Sequence, residues 1–515
     1  MIADLLAAAM QYHRAGILPE AERLYREVLQ RQPDQPNALY SLGLLSHQSG
    51  DLETAIAFYQ QALAAHPNFA DAHNNLGAAF QQQGNLTAAV AHYQSALRLK
   101  PANPNANVNL GVTLQQQGNL SAAIARYQKA LSFDAALPEA HSNLAHALKE
   151  QGNLEQAIAH YQTVLQLTPD NPDAYRDLAD ALVEQGSIGE AIALLDQGIA
   201  RFPNHVKLRG SRIRARLVSG DLQAGFAEYD PWRLRMAGTP RTFTQPAWDG
   251  ADLDRKPILL YTEAGAGMGD LMQFIRYAPL VADRGGRVRV ESPAALVRLF
   301  QQVTGVETVV ATGDPLPPFE VQASILSLPY LFNTSLETIP ASIPYLSAPP
   351  STFHFPIPPS HQLKAGIVWG GDPNHLHDRE RSCPIQALKP LLQIPDIQFY
   401  SLQKGPHQQE FSELGDLPIQ DLSDRLNDFA DTAAAIAQLD LVISVDTSVA
   451  HLAGAMGKPV WILLSFFPDW RWLRHREDSP WYPTARLFRQ PHRNGWTAVC
   501  ARVAAALSSY QKSGV

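Results

Sequence analysis

The chain has 515 residues, 45% of them hydrophobic and 17% charged. This composition suits about three folded units of roughly 100–200 residues each and excludes a disordered or collagen-like polymer. A formal net charge of −8, with no long basic block, argues against a general nucleic-acid binder. The opening stretch MIADLLAAAMQYHRAG carries Asp4, lacks a basic leader region and runs directly into a helical repeat, so a signal peptide is not expected. No run of about 20 apolar residues could cross a membrane. The only cysteines, Cys383 and Cys500, are far apart in the sequence and lack C-x-x-C spacing. That spacing favours neither a disulfide framework nor a zinc knuckle. A reducing, cytoplasmic location is the expectation.

From the N-terminus, Gly16, Gly50, Gly84, Gly118, Gly152, Gly186 and Gly220 recur every 34 residues. Ala21, Ala55, Ala89, Ala123, Ala157 and Ala191 keep the same step, as do Tyr25, Tyr59, Tyr93, Tyr127 and Tyr161. Each repeat reads as two amphipathic helices, with Gly closing the first in a left-handed turn and Pro bounding the second. The small Ala lets the helices approach, and Tyr, one turn on, fills the space beside it. Seven units take the helical region to residue 235, where a Pro in DPWRLR is expected to end the last helix.

This pattern resembles the tetratricopeptide repeat, which implies a superhelical solenoid able to bind an extended peptide or a partner protein. Asn75, Asn109 and Asn143 fall at the same 34-residue step, with Ser41 and Asp177 ending the row on either side. The row resembles the asparagine ladder of O-linked N-acetylglucosamine transferase, whose amides grip the backbone of a protein acceptor. The plainer reading is a set of solvated amides on the first helices of the repeats.

Residues 236–256 are rich in Pro, Gly and Thr and read as a linker. From Ile258 strands alternate with helices through ILLYT, LMQFIRYAPLVADRG, RVRVES, ALVRLFQQV and VETVV, predicting an α/β half over 257–350. A Pro-rich interruption follows. A second α/β half over 361–515 is expected from KAGIVWG, IQFYSLQ, DTAAAIAQL, DLVISV, VAHLAGAM and KPVWILL. Two such Rossmann-like halves are what a GT-B architecture would look like.

Between the first strand and its helix lies EAGAGMGD. Gly267 and Gly269 permit close backbone approach to a ligand, and the helix N-terminus beyond favours an anion. The spacing is not that of a dinucleotide fingerprint, which disfavours an oxidoreductase. Asp270 could accept the proton of an attacking hydroxyl, or could simply cap the helix. In the second half, Asp446, Thr447 and Ser448 occupy a strand-to-helix turn that could seat a diphosphate. His451, one helical turn on, could reach the same place or be a satisfied core histidine. GGDPNHLHDRERS contributes Gly370, Asn374, Arg379, Arg381 and Ser382, and SLQKG contributes Ser401, Gln403 and Lys404. These side chains could stabilise a leaving diphosphate without a metal, or form ordinary solvated loops. The stretch PDWRWLRHREDSPWYPTARLFRQ suits stacking on a sugar or base, or a helix packed across a domain interface.

GMGDLMQFIRYAPLV and D-T-x-x-x-H before a Lys-Pro strand resemble the motifs of glycosyltransferase family 9, the ADP-heptose lipopolysaccharide transferases. Ser448 stands where that family usually has Gly. The resemblance implies an inverting, metal-independent transferase with a nucleotide diphosphate sugar as donor and no cofactor. It places the catalytic residues at Asp270, as general base, and His451, and the donor site at the Asp446 turn. The repeats imply a protein or peptide acceptor. A non-catalytic scaffold that senses a nucleotide, and a transferase acting on a glycan or lipid-linked sugar, are the alternatives.

Overall fold

The computed structural model describes residues 2–237, 241–350, 353, 362–375 and 378–512. Part of the expected linker (238–240) and most of the Pro-rich interruption beyond 350 lie outside them. The chain divides into two compact units, Met1–Ala181 and Leu182–Val515.

The first unit is all helix. Antiparallel pairs such as Pro36–Gln48 with Leu52–Ala65, and Ala70–Gln82 with Leu86–Leu99, follow one another in register. Gly50, Gly84 and Gly118 hold φ between +80° and +85°, a turn that L side chains resist. The next residue but one starts the second helix: Asp51, Asn85 and Asn119 cap it by accepting from the backbone N–H of Thr54, Ala88 and Ala122. Tyr59, Tyr93 and Tyr127 are fully buried. Their sockets come from a second glycine series that sequence reasoning overlooked. A Cβ placed on Gly43, Gly77 or Gly111 would come within 2.6, 2.9 and 2.5 Å of the respective ring. In all, fourteen helices run from Ile2 to Ala237, the last three and the end of the eleventh belonging to the second unit.

In the second unit the last helix, Leu222–Ala237, carries Pro231 inside it. The expectation that proline ends this helix is corrected: the helix absorbs one missing backbone bond and continues for six further residues. Ile213, Leu217, Leu222 and Phe226 join the hydrophobic core of the α/β region, so this helix pair is held by the sheets' own apolar packing.

Four parallel strands, β1 (Pro257–Tyr261), β2 (Arg287–Ser292), β3 (Val306–Ala311) and β4 (Val321–Ser324), form one sheet in the order β3-β2-β1-β4. A second sheet holds β5 (Leu363–Val368), β6 (Ile397–Ser401), β7 (Ile419–Asp421), β8 (Leu441–Val445), β9 (Val460–Leu464) and β10 (Ala485–Arg489). Its order is β10-β9-β8-β5-β6-β7, again parallel. Two parallel sheets with helical crossovers are thus present. β4, β7 and β10 are additions to the sequence reading. The stretch expected to stack or form a helix makes a 3-10 turn at Trp470–Trp472 and then β10. The long helix read in LMQFIRYAPLVADRG breaks into Met268–Phe274, a 3-10 turn and Ala278–Asp283, with Pro279 in the first turn of the last piece.

The cysteines, distant in sequence, are neighbours in space. Cys383 Sγ and Cys500 Sγ lie 3.8 Å apart, both buried.

Candidate functional site

In an open parallel sheet, ligands bind beyond the carboxyl ends of the strands where the strand order reverses. In the six-stranded sheet that point lies between β5 and β8, since the chain leaves β5 toward β6 and β7 and leaves β8 toward β9 and β10. β8 runs into Asp446, Thr447 and Ser448 and then the helix Ser448–Ala455. β5 runs into Trp369, Gly370 and the segment that ends at Arg381. The two loops touch: Arg381 Nη1 donates to the Asp446 carbonyl at 3.4 Å.

The Gly-rich turn after β1 reaches this place as well. The helix Met268–Phe274 packs on the helix Ser448–Ala455, and an added Cβ on Gly269 would lie 2.7 Å from His451 Cδ2. Gly269 therefore serves helix contact and leaves no side chain between the two motifs. Gly267 donates its N–H to Asp270 Oδ2 at 3.2 Å, so the capping reading of Asp270 holds in the structure. Asp270 Oδ1 accepts from Arg471 Nη2. The carboxylate is about one-third exposed, so it keeps a solvent-facing edge.

Arg471 is the residue the sequence reading left unassigned. It follows the loop after β9, is only 12% exposed, and stacks on Trp470 with its guanidinium carbon 4.6 Å from the ring centroid. It also bonds Asp469 Oδ1 at 2.7 Å and Gln273 Oε1. Gln273 is fully buried, and its Nε2 has no hydrogen-bond partner. Burial would lower the Arg471 pKa, but Asp469 and Asp270 prevail and raise it, so the cation is permanent. The density of Trp and Arg in PDWRW was the one sequence signal for it.

Burial pushes the Asp446 carboxyl up to about 6, with Asp469 adding to the effect and Trp472, Arg471 and Arg381 opposing it. His451 is buried, stacks on Trp472 at 5.5 Å and shares a 2.8 Å hydrogen bond between Nδ1 and the Tyr482 hydroxyl. Its Nε2 faces Asp446 Oδ1 at 3.9 Å. Burial, then the charges of Arg471, Arg276 and Arg381, hold the imidazole well below its usual pKa, so it is neutral. A Tyr482 hydroxyl that donates to Nδ1 leaves the proton on Nε2, facing the carboxylate. His451 is thus a satisfied core histidine that lies beside Asp446.

Other candidates are placed differently. Thr447 Oγ1 pairs with Ser444 Oγ at 2.9 Å, so its hydroxyl does not join Ser448 toward a common anion as expected. Gln403 is 1% exposed. Its amide bridges Trp369 N, Gly370 N, Gly370 O and Lys404 O at 2.8–3.0 Å, a backbone brace with no free polar atom for a ligand. Ser401 is buried beneath it and accepts weakly from the Gln403 N–H. Lys404 Nζ is tied to the Ser423 carbonyl at 2.8 Å. Arg379 is exposed, and Asn374 folds back on Asp372. Gly370 is required because His407 would meet its Cβ at 2.3 Å.

His407 was missed. Its Nε2 faces Asp378 Oδ2 at 3.1 Å and its Nδ1 faces Glu410 Oε1 at 2.7 Å, while Glu410 Oε2 accepts from the Trp369 indole. Burial alone would lower this imidazole's pKa, but the two carboxylates raise it. Asp378 also accepts from Arg381 Nε and Ser382 Oγ, so the network fixes the arginine that meets Asp446. Among the described residues, no group of three or more His, Cys, Asp or Glu is placed to hold a metal ion.

In the first unit, Asn75 Nδ2 donates to the Tyr40 hydroxyl at 2.8 Å, and Asn109 Nδ2 reaches Asn74 Oδ1 at 3.4 Å. Asn143 stands at the same register and is half-buried. The row is therefore partly engaged along the repeats.

Residues 45–84, 79–118 and 114–152 match a TPR repeat model, and 148–217 match a tetratricopeptide repeat model. Protein FlbA of Caulobacter vibrioides is 26% identical over 327 residues, 58% of this chain. The chain spans about half, 54%, of that curated relative's length. Among solved structures, PilW, a type IV pilus biogenesis factor, is 22% identical over 41% of this chain and 97% of its own, with a TM-score of 0.38. YrrB, a TPR protein with an unusual peptide-binding site, is 21% identical over 36% and 95%, with a TM-score of 0.32. No helix of the described residues is long and apolar enough to cross a membrane. The N-terminal half of the chain carries tetratricopeptide repeats, a fold for protein interaction.

Proposed function

We propose that the chain is a glycosyltransferase of GT-B type, in which the repeats bind a protein or peptide acceptor and the α/β region transfers a sugar from a nucleotide diphosphate sugar. One observation carries the reading: Gly269 lies against His451, so the Asp270 turn and the Asp446 turn share one cluster with Arg471 between them. The resemblance of both turns to family 9 motifs supports it. So does the position of the Asp446 turn at the strand-order switch.

In the proposed step the acceptor hydroxyl gives its proton to Asp270 as its oxygen attacks the sugar C1 from the face opposite the leaving group. The bond from C1 to the diphosphate oxygen breaks, and Arg381 and Arg471 stabilise the charge that develops there. The unpaired Gln273 amide offers a further donor beside Arg471.

A second reading, a TPR scaffold whose α/β region binds a nucleotide without turnover, is favoured by one detail. Both Asp270 oxygens are engaged, one by the Gly267 N–H and one by Arg471. Calorimetric titration with UDP, ADP and GDP, followed by a donor-hydrolysis assay, separates the two. For the transferase, Asp270→Asn is expected to lower turnover about 100-fold or more with nucleotide affinity within a few-fold of wild type. Nucleotide binding with no turnover by the wild-type chain on a broad donor panel favours the scaffold.

A further inference from the structure

The two cysteines stand apart from the site chemistry above. Cys383 lies just before the helix Ile385–Leu392, and Cys500 lies in the helix Trp496–Lys512 that packs on it. They are 117 residues apart in sequence, yet their sulfurs are in contact at 3.8 Å. Cys383 is 2% and Cys500 3% exposed, in a hydrophobic core with Trp369, Leu388 and Val499. A disulfide requires sulfurs about 2.05 Å apart on backbones within roughly 4.4–6.8 Å at Cα. From their present contact the sulfurs have about 1.8 Å to close to reach that bond length.

We propose that Cys383 and Cys500 are a disulfide-forming pair: in the folded protein a two-electron oxidant of the peroxide class converts them to an intramolecular disulfide. Contact between the two thiols lowers the Cys500 pKa against the effect of burial, while the same contact and burial raise that of Cys383. Either thiol can attack first; along one route Cys500 is the nucleophile. Its thiolate attacks one peroxide oxygen, the O–O bond breaks, hydroxide leaves, and Cys500 becomes a sulfenic acid. The Cys383 sulfur then attacks the Cys500 sulfur, the S–O bond breaks, and water leaves. Two thiols and one peroxide give one disulfide and two waters.

Burial makes the reaction depend on local opening of the terminal helix and directs the sulfenic acid to a single partner. The product ties the loop after β5 to the C-terminal helix. That loop already bonds through Cys383 N–H to the Trp369 carbonyl at 2.8 Å and carries Arg381 and Ser382.

The test treats the full-length folded chain with hydrogen peroxide, then denatures it with alkylation and maps peptides without reduction. The expected result is loss of both thiols together and a single cross-linked peptide pair joining 383 to 500. Reduction should restore both thiols, and the oxidised chain should melt at a higher temperature. Cys500→Ser and Cys383→Ser should each abolish the cross-link and leave the remaining cysteine as a thiol or, at most, a sulfenic or sulfinic acid. Far-ultraviolet circular dichroism identical to wild type shows that the variants fold. Independent sulfinic or sulfonic acids at the two positions of the wild-type chain, cross-linking between chains, or thiols that survive until the protein is unfolded would each overturn the proposal.

Discussion

The repeat helices and the α/β region solve the burial of polar groups in opposite ways. In the first unit, buried Tyr59, Tyr93 and Tyr127 each sit against a glycine 16 residues before them, and the Tyr93 and Tyr127 hydroxyls bond a glutamine 12 residues before them. In the α/β region the contacts that matter join distant segments. Arg471 meets Asp270 across 201 residues, Arg298 meets Asp428 across 130, and the buried Arg276 donates to the Trp481 carbonyl across 205. Among its described residues the first unit buries no Asp, Glu, Lys or Arg, and it relies on neighbours in the chain. The α/β region carries Asp446, Arg471 and Arg276 inside, where each depends on partners from several elements. Local packing confines damage to one repeat, whereas a shared polar cluster passes it on.

The largest effect that tests this contrast is expected from Tyr93→Ala, which empties a fully buried site and should destabilise its repeat by about 3–5 kcal/mol. Amide hydrogen exchange should show lost protection in Ala70–Gln82 and Leu86–Leu99, with β8 amides unchanged. Equal loss in β8 would break the contrast.

A smaller effect of opposite sign is expected from Asp446→Asn. The folded carboxyl sits at about 6 against an ordinary 3.8, so its ionised form is penalised above pH 6, and the penalty fades as pH falls from 6 toward 3.8. Urea unfolding of the α/β region at pH 7.5 should show a gain on the order of 2–3 kcal/mol in the variant, shrinking by pH 5. An equal gain at both pH values would show that the charge is not its source.

The smallest effect lies in the repeats and runs the other way with pH. His73 and His92 share a 3.1 Å bond between their Nδ1 atoms, and His141 and His160 share one of 2.9 Å, 68 residues on. Burial lowers the pKa of His73, of His92 and of His160, and for the latter two the paired histidine adds to the shift. Stability tied to the neutral forms of His73, His92 and His160 is present above the ordinary value of 6.5 and is lost as pH falls toward and through the lowered values. His92→Gln with His160→Gln should flatten the fall in the repeats' melting temperature between pH 7 and 5. Solvent screening keeps the difference below about 1 kcal/mol. Acid should therefore weaken the repeats while relieving Asp446, and a common response of both regions would merge them.

How far the sequence could be read follows the same division. The repeat boundaries were legible because Gly84, Ala89 and Tyr93 act through neighbours within a few turns. The strands β1, β2, β3, β5, β6, β8 and β9 were legible as short apolar runs, and the turns at Asp270 and Asp446 as glycine and hydroxyl punctuation between strand and helix. β7 is three residues long and β10 follows an irregular stretch, so neither had a periodicity to detect. Gln403 looked like a ligand because its type fits one, and only its four backbone contacts reveal a brace.

The amino-acid order alone determined the repeat, its seven-fold count and the strand-to-helix turns, since each depends on residues within about 34 positions of one another. The tertiary structure decided that Gly269 is the socket of His451, that Arg471 meets Asp270 while Lys404 is tied to the Ser423 carbonyl, and that Cys383 touches Cys500. Those pairings arise when separate sheets and helices pack. Their partners are chosen by burial and charge in space, which no local spacing encodes.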